Sequence, residues 1–226
     1  MILAVKGLMW VAVSFLLMAA SLFLPAGTFA WPAGWIFLIL LHGGLLVGIK
    51  LLLKHNPSLL EERLSLSQSN QKAWDKVFLL LYQLFLFAWL VLMPLDAVRY
   101  HWSQIPIVLQ VVGFLVLITA FIVVSLTFRE NTFLSPTVRV QHERGQTVIT
   151  TGPYRYVRHP MYAGGLLLFL GTPLLLGSWY GLLVVVFLVL VIAVRAVLEE
   201  RVLRDELPGY AAYMEQVRYR LIPYIW

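Results

Sequence analysis

Apolar residues run almost without interruption over 8–24, 31–53, 77–95, 105–127, 161–177 and 179–198, with polar and charged residues gathered between the runs. Crossing a bilayer takes about 20 mostly apolar residues for some 30 Å of hydrocarbon. Each run therefore predicts a transmembrane helix, the fifth being short. Only Gly177-Ser178 separates the fifth run from the sixth, which predicts a tight antiparallel hairpin with Trp179 and Tyr180 at the far membrane interface. Pro25, Pro32, Pro94 and Pro106 fall where the other spans end, positions at which a missing N–H is tolerated. In the tail, Tyr210, Tyr213 and Val217 recur at helical spacing and predict an amphipathic interfacial helix that anchors the chain or lids a site. The fold class is all-α: a polytopic transmembrane helical protein of about six spans, with a C-terminal helical hairpin and an interfacial C-terminal helix. Two regions follow, 1–127 with about four N-terminal spans and 128–226 with a polar loop, the hairpin and the tail.

Composition agrees. Of 226 residues, 61% are hydrophobic and 12% charged, where a soluble domain has roughly 45–50% and about 25%. The start of the chain also has features of a secretory signal, since Lys6 precedes the first run and Thr28-Phe29-Ala30 is a plausible cleavage site. That run is long for such a signal and a further span follows it, so it reads as the first membrane helix.

The net charge of +6 lies beside the apolar runs rather than in a basic groove interleaved with aromatics, so nucleic acid is not an expected partner. Lys54, Arg63, Lys72 and Lys76 sit in one loop, and Arg129, Arg139, Arg144, Arg155 and Arg158 in another. The opposite connections carry Arg99 alone. With Lys6 at the start and Arg201, Arg204, Arg218 and Arg220 in the tail, the positive-inside rule predicts that both termini and both large loops are cytoplasmic. The chain has no cysteine, which excludes disulfides, thiolate metal sites and a cysteine nucleophile. His42, His55, His101, His142 and His159 lack metal-ligand spacing, so no metal is expected. His42, Gln83 and Gln110, inside other spans, are expected to hydrogen-bond between helices. Asp96 and Arg99 are expected at the outer interface.

Two polar segments flank the last hairpin, and folding it brings them to one membrane face. In the first, Gly152-Pro153 turns the chain and Pro160 suits the opening turn of the fifth span. His159 then lies at a helix N-terminus, where unpaired N–H groups favour an anion such as a carboxylate. Headgroup contact and helix capping are the alternative use of His159 and its neighbouring arginines. In the second, Arg195 follows a charge-free stretch and lies four residues before Glu199, so the two share a helix face and can pair. An ionisable residue inside a span is a functional candidate. Glu200, about 100° further round the helix, is expected to face headgroups or solvent.

Gly152-Pro153-Tyr154-Arg155-Tyr156-Val157-Arg158-His159-Pro160-Met161-Tyr162-Ala163-Gly164, then Glu199-Glu200-x-x-Leu203, then Gly209-x-x-Tyr-x-x-Tyr213, strongly resembles the isoprenylcysteine carboxyl methyltransferase family, which is related to membrane phospholipid methyltransferases. The resemblance covers roughly 128–226, and the chain looks like a compact prokaryotic-type member. It implies an integral membrane protein of a bacterial or archaeal plasma membrane. The implied activity is methyl transfer from S-adenosyl-L-methionine to a lipidic or prenylated acceptor drawn from the bilayer. The implied cofactor contacts are Gln141, Gln146, Thr147, Val148, Ile149, Tyr154, His159, Pro160, Met161, Tyr162 and Glu199, with Arg195 facing the substrate. Arg195 and Glu199 would serve catalysis. No glycine-rich nucleotide loop of the soluble kind is present, since Gly43-Gly44 and Gly164-Gly165 lie in spans.

Carboxylate and amine acceptors make different demands. A carboxylate is ionised at neutral pH and needs no base, so Arg195 would position an anion. An amine must lose a proton, for which Glu199 or Glu200 would be at hand. Carboxyl O-methylation of an isoprenylcysteine-like or other anionic lipid is the favoured reading, and phospholipid N-methylation the alternative. A small-solute transporter would need more polar groups at mid-membrane depth than His42, Gln83 and Gln110 provide. A non-catalytic membrane module would be expected to have lost motif residues that are intact here.

Overall fold

A computed structural model describes residues 2–64, 73–135 and 139–226. Its long helices are α1 (Ile2–Ala26), α2 (Pro32–His55), α4 (Ala73–Pro94), α5 (Ile107–Glu130), α6 (Pro160–Leu176) and α7 (Trp179–Glu206), and two shorter ones are α3 (Pro57–Leu64) and α8 (Tyr210–Gln216). No strand occurs among the described residues. Five segments, Ile2–Ala26, Pro32–His55, Leu79–Arg99, Ile107–Glu130 and Trp179–Glu206, are long and apolar enough to span a membrane, while Pro160–Leu176 is a shorter apolar helix. Those 17 residues cover about 25 Å at 1.5 Å each, somewhat less than a full hydrocarbon core. The outward faces stay apolar, as lipid contact requires: Leu16, Ile39, Leu84, Ile107 and Leu183 are all exposed. This is an integral membrane helical protein.

The helix ends follow from local chemistry. Gly177 closes α6 in the left-handed region (φ 85°) and its N–H donates to the Pro173 carbonyl, the backbone state in which glycine carries no Cβ penalty. Ser178 then caps α7 by accepting from the Gly181 N–H at 2.8 Å, so the predicted hairpin turns within two residues. Trp179 and Tyr180 are exposed beyond it. At the other end α7 continues to Glu206, about 12 Å past the predicted limit at 198. The α4 span ends in a π-helical turn, Leu95–Arg99.

The core lies between helices. Leu22, Leu38, Met93, Leu117, Leu176 and Leu188 are fully buried in one cluster. Where α5 meets α6 there is no room for side chains: a Cβ on Gly113 would lie 2.5 Å from the Leu175 backbone nitrogen, and one on Gly171 2.9 Å from the Gly113 carbonyl. Small residues at such crossings let backbones approach, the main packing device open to helices in lipid. Gly113→Val should cost at least about 1–3 kcal/mol, the range for overpacking a close-packed interior. The check is the unfolding midpoint in detergent, which should fall for Gly113→Val and hold for Gly43→Val, where a Cβ meets nothing within 4 Å.

Two expectations about polar residues need correction. Asp96 is at the end of the bundle remote from α3, but it is fully buried, accepting from the Ser103 and Ser178 hydroxyls at 2.6 Å each. The serine donors make its burial tolerable, and they bind the α4 end to the hairpin turn. His42 bonds through Nδ1 to Leu38 O of its own helix, and Gln110 donates to Ile105 O just ahead of its own helix. Gln83 is exposed on α4. Among the described residues, none of the three makes an interhelical hydrogen bond.

Candidate functional site

Chain direction brings α3, the segment after α5 and the C-terminal tail to one end of the bundle. Asn131 begins the loop: its side chain accepts from the Phe133 N–H and donates to the Tyr154 hydroxyl at 2.7 Å. Gly152, at φ 57°, opens a 3₁₀ turn through Arg155, the turn expected of Gly-Pro. Thr151 donates to Glu130 across that turn at 2.6 Å. Tyr154 is buried there, and its carbonyl accepts from the Tyr213 hydroxyl at 2.7 Å. Burial pushes the Tyr154, Tyr210 and Tyr213 phenols above their usual range, so all three stay neutral donors at physiological pH. The predicted C-terminal helix thus packs its Tyr210 and Tyr213 against Val140, Tyr154 and Leu207.

These elements surround a cavity of about 490 Å³, within the 300–1,000 Å³ usual for small-molecule sites. Of the residues expected at a cofactor site, Gln146, Thr147, Val148, Ile149, Tyr154, His159, Met161, Tyr162 and Glu199 line it, together with Arg195. Gln141 and Pro160 are not among the lining residues. Gln141 is wholly buried, donating to Phe133 O at 2.6 Å and accepting from Arg144 at 2.7 Å, while its N–H donates to the Gln146 side chain. It fixes the loop that carries Gln146. Pro160 is the buried first residue of α6.

Arg195 and Glu199 are joined through a third residue. The Tyr162 hydroxyl donates to Glu199 Oε2 and accepts from Arg195 Nε at 2.9 Å, which links α6 to α7 and orients both charged groups. The His159 ring stacks on Tyr162 with centroids 5.5 Å apart.

Glu200 reverses its expectation. It is 3% exposed and turned into the protein, where Arg158 Nε at 2.6 Å, Arg220 Nε at 2.8 Å and His159 Nε2 at 3.3 Å surround its carboxylate. Arg158 also donates to the carbonyls of Val217 and Arg218, and the N–H groups of Arg158 and His159 donate to Tyr219 O and Arg220 O. One buried carboxylate thereby fastens the loop, α7 and the tail. Desolvation of Glu200 is tolerable only because both of its oxygens accept from these donors, which commits the carboxylate to holding the fold together.

The lining also includes residues that the motifs did not indicate: Arg63 from α3, Tyr82 from α4, Phe133 and Arg139 from the loop, and Phe169 on α6. Their polarity sorts by depth. Along α6 the walls pass from Met161 and Tyr162 to Gly165, Leu168 and Phe169, and along α7 from Glu199 to Arg195 and Ile192. Met161 to Phe169 is about 12 Å of helix. The charged lining groups lie at the loop end, among apolar neighbours such as Val148, Ile149 and Leu203, and along α6 and α7 beyond Arg195 the lining is apolar.

Comparison with known proteins bears on this arrangement. Residues 108–207 match the phospholipid methyltransferase family model. Those 100 residues are similar to that family, and the stretch supplies all of the cavity except what α3, α4 and α8 add. A solved structure of the eukaryotic intramembrane Ras methyltransferase, isoprenylcysteine carboxyl methyltransferase, without a monobody, is similar in fold with a TM-score of 0.58. It is 19% identical, and the alignment covers 95% of this chain and 75% of that one. Curated proteins gave no match. Among the described residues no cluster of His, Cys, Asp or Glu could hold a metal ion.

Proposed function

We propose that this membrane methyltransferase transfers a methyl group from S-adenosyl-L-methionine to an anionic lipid, most simply at a carboxylate, on the cytoplasmic side of the membrane. The observation that carries this reading is one cavity in which Arg195 and the charged and hydroxyl groups of the loop end meet an apolar stretch of Gly165, Leu168, Phe169 and Ile192 further along α6 and α7.

The loop end suits the cofactor. The N–H groups of Met161 and Tyr162, in the first turn of α6, have no helical acceptor and can meet a carboxylate. Glu199 can accept from a pair of ribose hydroxyls. Tyr154 and Tyr162 offer aromatic faces, to which a sulfonium is drawn as any cation is. The cofactor supplies an activated methyl group on a good leaving group. The protein's share is alignment and exclusion of water: Arg195, held by Tyr162, orients an anionic acceptor, and Leu168, Phe169 and Ile192 house its apolar part. No side chain has to remove a proton from a carboxylate.

Phospholipid N-methylation is the second reading, favoured by the family whose model matches 108–207. It would need a base. Glu200 is committed to two guanidinium groups and the His159 ring, which leaves Glu199 for that role.

Calorimetry with S-adenosylhomocysteine on purified protein tests the cofactor assignment. Glu199→Ala should weaken binding about 10- to 100-fold, the equivalent of 1.5–3 kcal/mol for hydrogen bonds to a charged group. Folded wild-type protein that binds none would refute the reading. Labelled cofactor incubated with total membrane lipid, followed by mass spectrometry of the labelled product, identifies the acceptor.

A further inference from the structure

A second hollow, of about 370 Å³, lies between α1 and α2 at the end of the bundle where α3 begins. Ala4 and Leu8 of α1 face Leu46, Ile49 and Leu53 of α2 across it, and Lys50 and Lys54 complete the lining. None of these residues lines the catalytic cavity. Gly7 lets α1 lie close to α2 here, since a Cβ on it would stand 3.2 Å from Ile49 Cγ2. Ala4, three residues earlier, is too small to fill the space beside it.

The two lysines distinguish this groove from the other lipid-facing surfaces. They are four residues apart, so they share a face of α2, and both are exposed. Leu51, Leu52 and Leu53 follow Lys50, which places it inside the apolar span Pro32–His55, about 6 Å deeper along the helix than Lys54. Among the described residues neither lysine takes part in an ion pair or a side-chain hydrogen bond. Like charges at this spacing repel, and an ammonium at the edge of the hydrocarbon is costly unless it reaches headgroups or meets an anion.

The groove and its charge select one kind of occupant. A soluble anion would leave the apolar walls bare, and an uncharged lipid would leave both lysines without a counterion. A phospholipid with net negative charge satisfies both at once, as basic pockets between membrane helices do for anionic headgroups elsewhere.

We propose that the α1–α2 groove binds one anionic phospholipid, with its phosphate on Lys50 and Lys54 and an acyl chain along Leu8, Leu46 and Ile49. Ile49 and Leu53 also belong to the apolar cluster that seats Leu59 and Leu60 of α3, the helix from which Arg63 lines the catalytic cavity. The bound lipid therefore braces α3 from outside and is not the molecule that enters the cavity. This assignment is independent of the reaction proposed above.

The experiment compares detergent-solubilised wild-type protein with the double variants Lys50→Gln/Lys54→Gln and Lys50→Arg/Lys54→Arg. Each is titrated with dioleoyl phosphatidylglycerol, with dioleoyl phosphatidylcholine and with sodium phosphate, and native mass spectrometry counts the lipids retained. Both positions are exposed, so the unfolding midpoints without added lipid should agree. Wild type should retain one phosphatidylglycerol more than the glutamine variant, whose affinity at that site should fall by about 10- to 30-fold, the effect of two lysines at a membrane surface. The arginine variant should recover most of it. Phosphatidylcholine binding should be the same in all three. A lipid held in the catalytic cavity is common to the three proteins and cancels in the difference. Equal retention of phosphatidylglycerol by wild type and the glutamine variant would overturn the proposal. Equal loss of both lipids would overturn it too, because the groove would then read the chains and not the charge, as would displacement of phosphatidylglycerol by sodium phosphate, which marks a site for a free anion.

Discussion

Replacing Glu200 with alanine should destabilise the protein by about 3–5 kcal/mol, the range for removing one partner of a buried ion pair. Its side chain is 4% exposed and faces two guanidinium groups and the His159 ring. Truncation leaves Arg158, itself buried, without its carboxylate, and detaches Arg220 from α7. Arg158 would still hold the carbonyls of Val217 and Arg218, but the charge it buries would have no counterion. The tail should then loosen first, because 217–226 is tied to the rest chiefly through Arg158, His159 and Glu200. Two measurements check this: the unfolding midpoint in detergent, and cleavage by trypsin after Arg218 and Arg220. Glu200→Gln should fall between wild type and Glu200→Ala in both, since the amide keeps the shape and loses the charge. An unchanged midpoint with unchanged cleavage would falsify the hub.

Glu200 also shows what a linear reading can reach. Spans, hairpin and capped turn were legible because their causes are local: an unbroken apolar run, a Gly-Ser step, a proline at a helix start. Most of the site was legible for a related reason, since the two polar segments flank one hairpin and chain direction alone brings them together. The surroundings of Glu200 were not. Its partners are 42, 41 and 20 residues away, and helical geometry gives only its angle from Glu199, which says nothing about what packs on that side. The tail supplies the missing face, and a tail without a hydrophobic run carries no signal for its path. Gln141 differs in another way: the resemblance marked a position in the loop, and the fold uses that side chain to hold the loop itself.

Arg63 was hidden for another reason. In a loop read as polar, the eight residues Pro57–Leu64 are too short for a helix to stand on propensity alone, and α3 exists because Leu59 and Leu60 find a niche between α1 and α2. The signal was nevertheless present. An arginine three and four positions after a leucine pair is on the pair's side, and where that side is buried the arginine is drawn partly in with it. Arg195 was easier to find, because it follows a charge-free stretch and the span itself placed it.

Arg195→Met should lower kcat/KM by about a hundredfold or more, the cost of removing one preorganised donor to an anion in a water-poor site. Arg195 is 6% exposed, and its Nε donates to the hydroxyl through which Tyr162 holds Glu199. Methionine keeps the length of the side chain, so the loss should appear in turnover with little change in S-adenosylhomocysteine affinity. Tyr162→Phe should produce a smaller fall, because Arg195 keeps its charge and loses only its orientation. The pH profile then separates the two acceptor chemistries. An ionised carboxylate needs no base, so kcat for the wild-type enzyme should be flat from pH 6 to 9. An amine must be deprotonated, and kcat would climb with pH as the acceptor amine loses its proton. In that case Glu199→Gln would lower kcat across the range, and Arg195→Met would affect the rate only through Tyr162. A flat profile with a steep loss in Arg195→Met assigns the arginine to the anion. A rising profile with a mild loss assigns the chemistry to Glu199 instead.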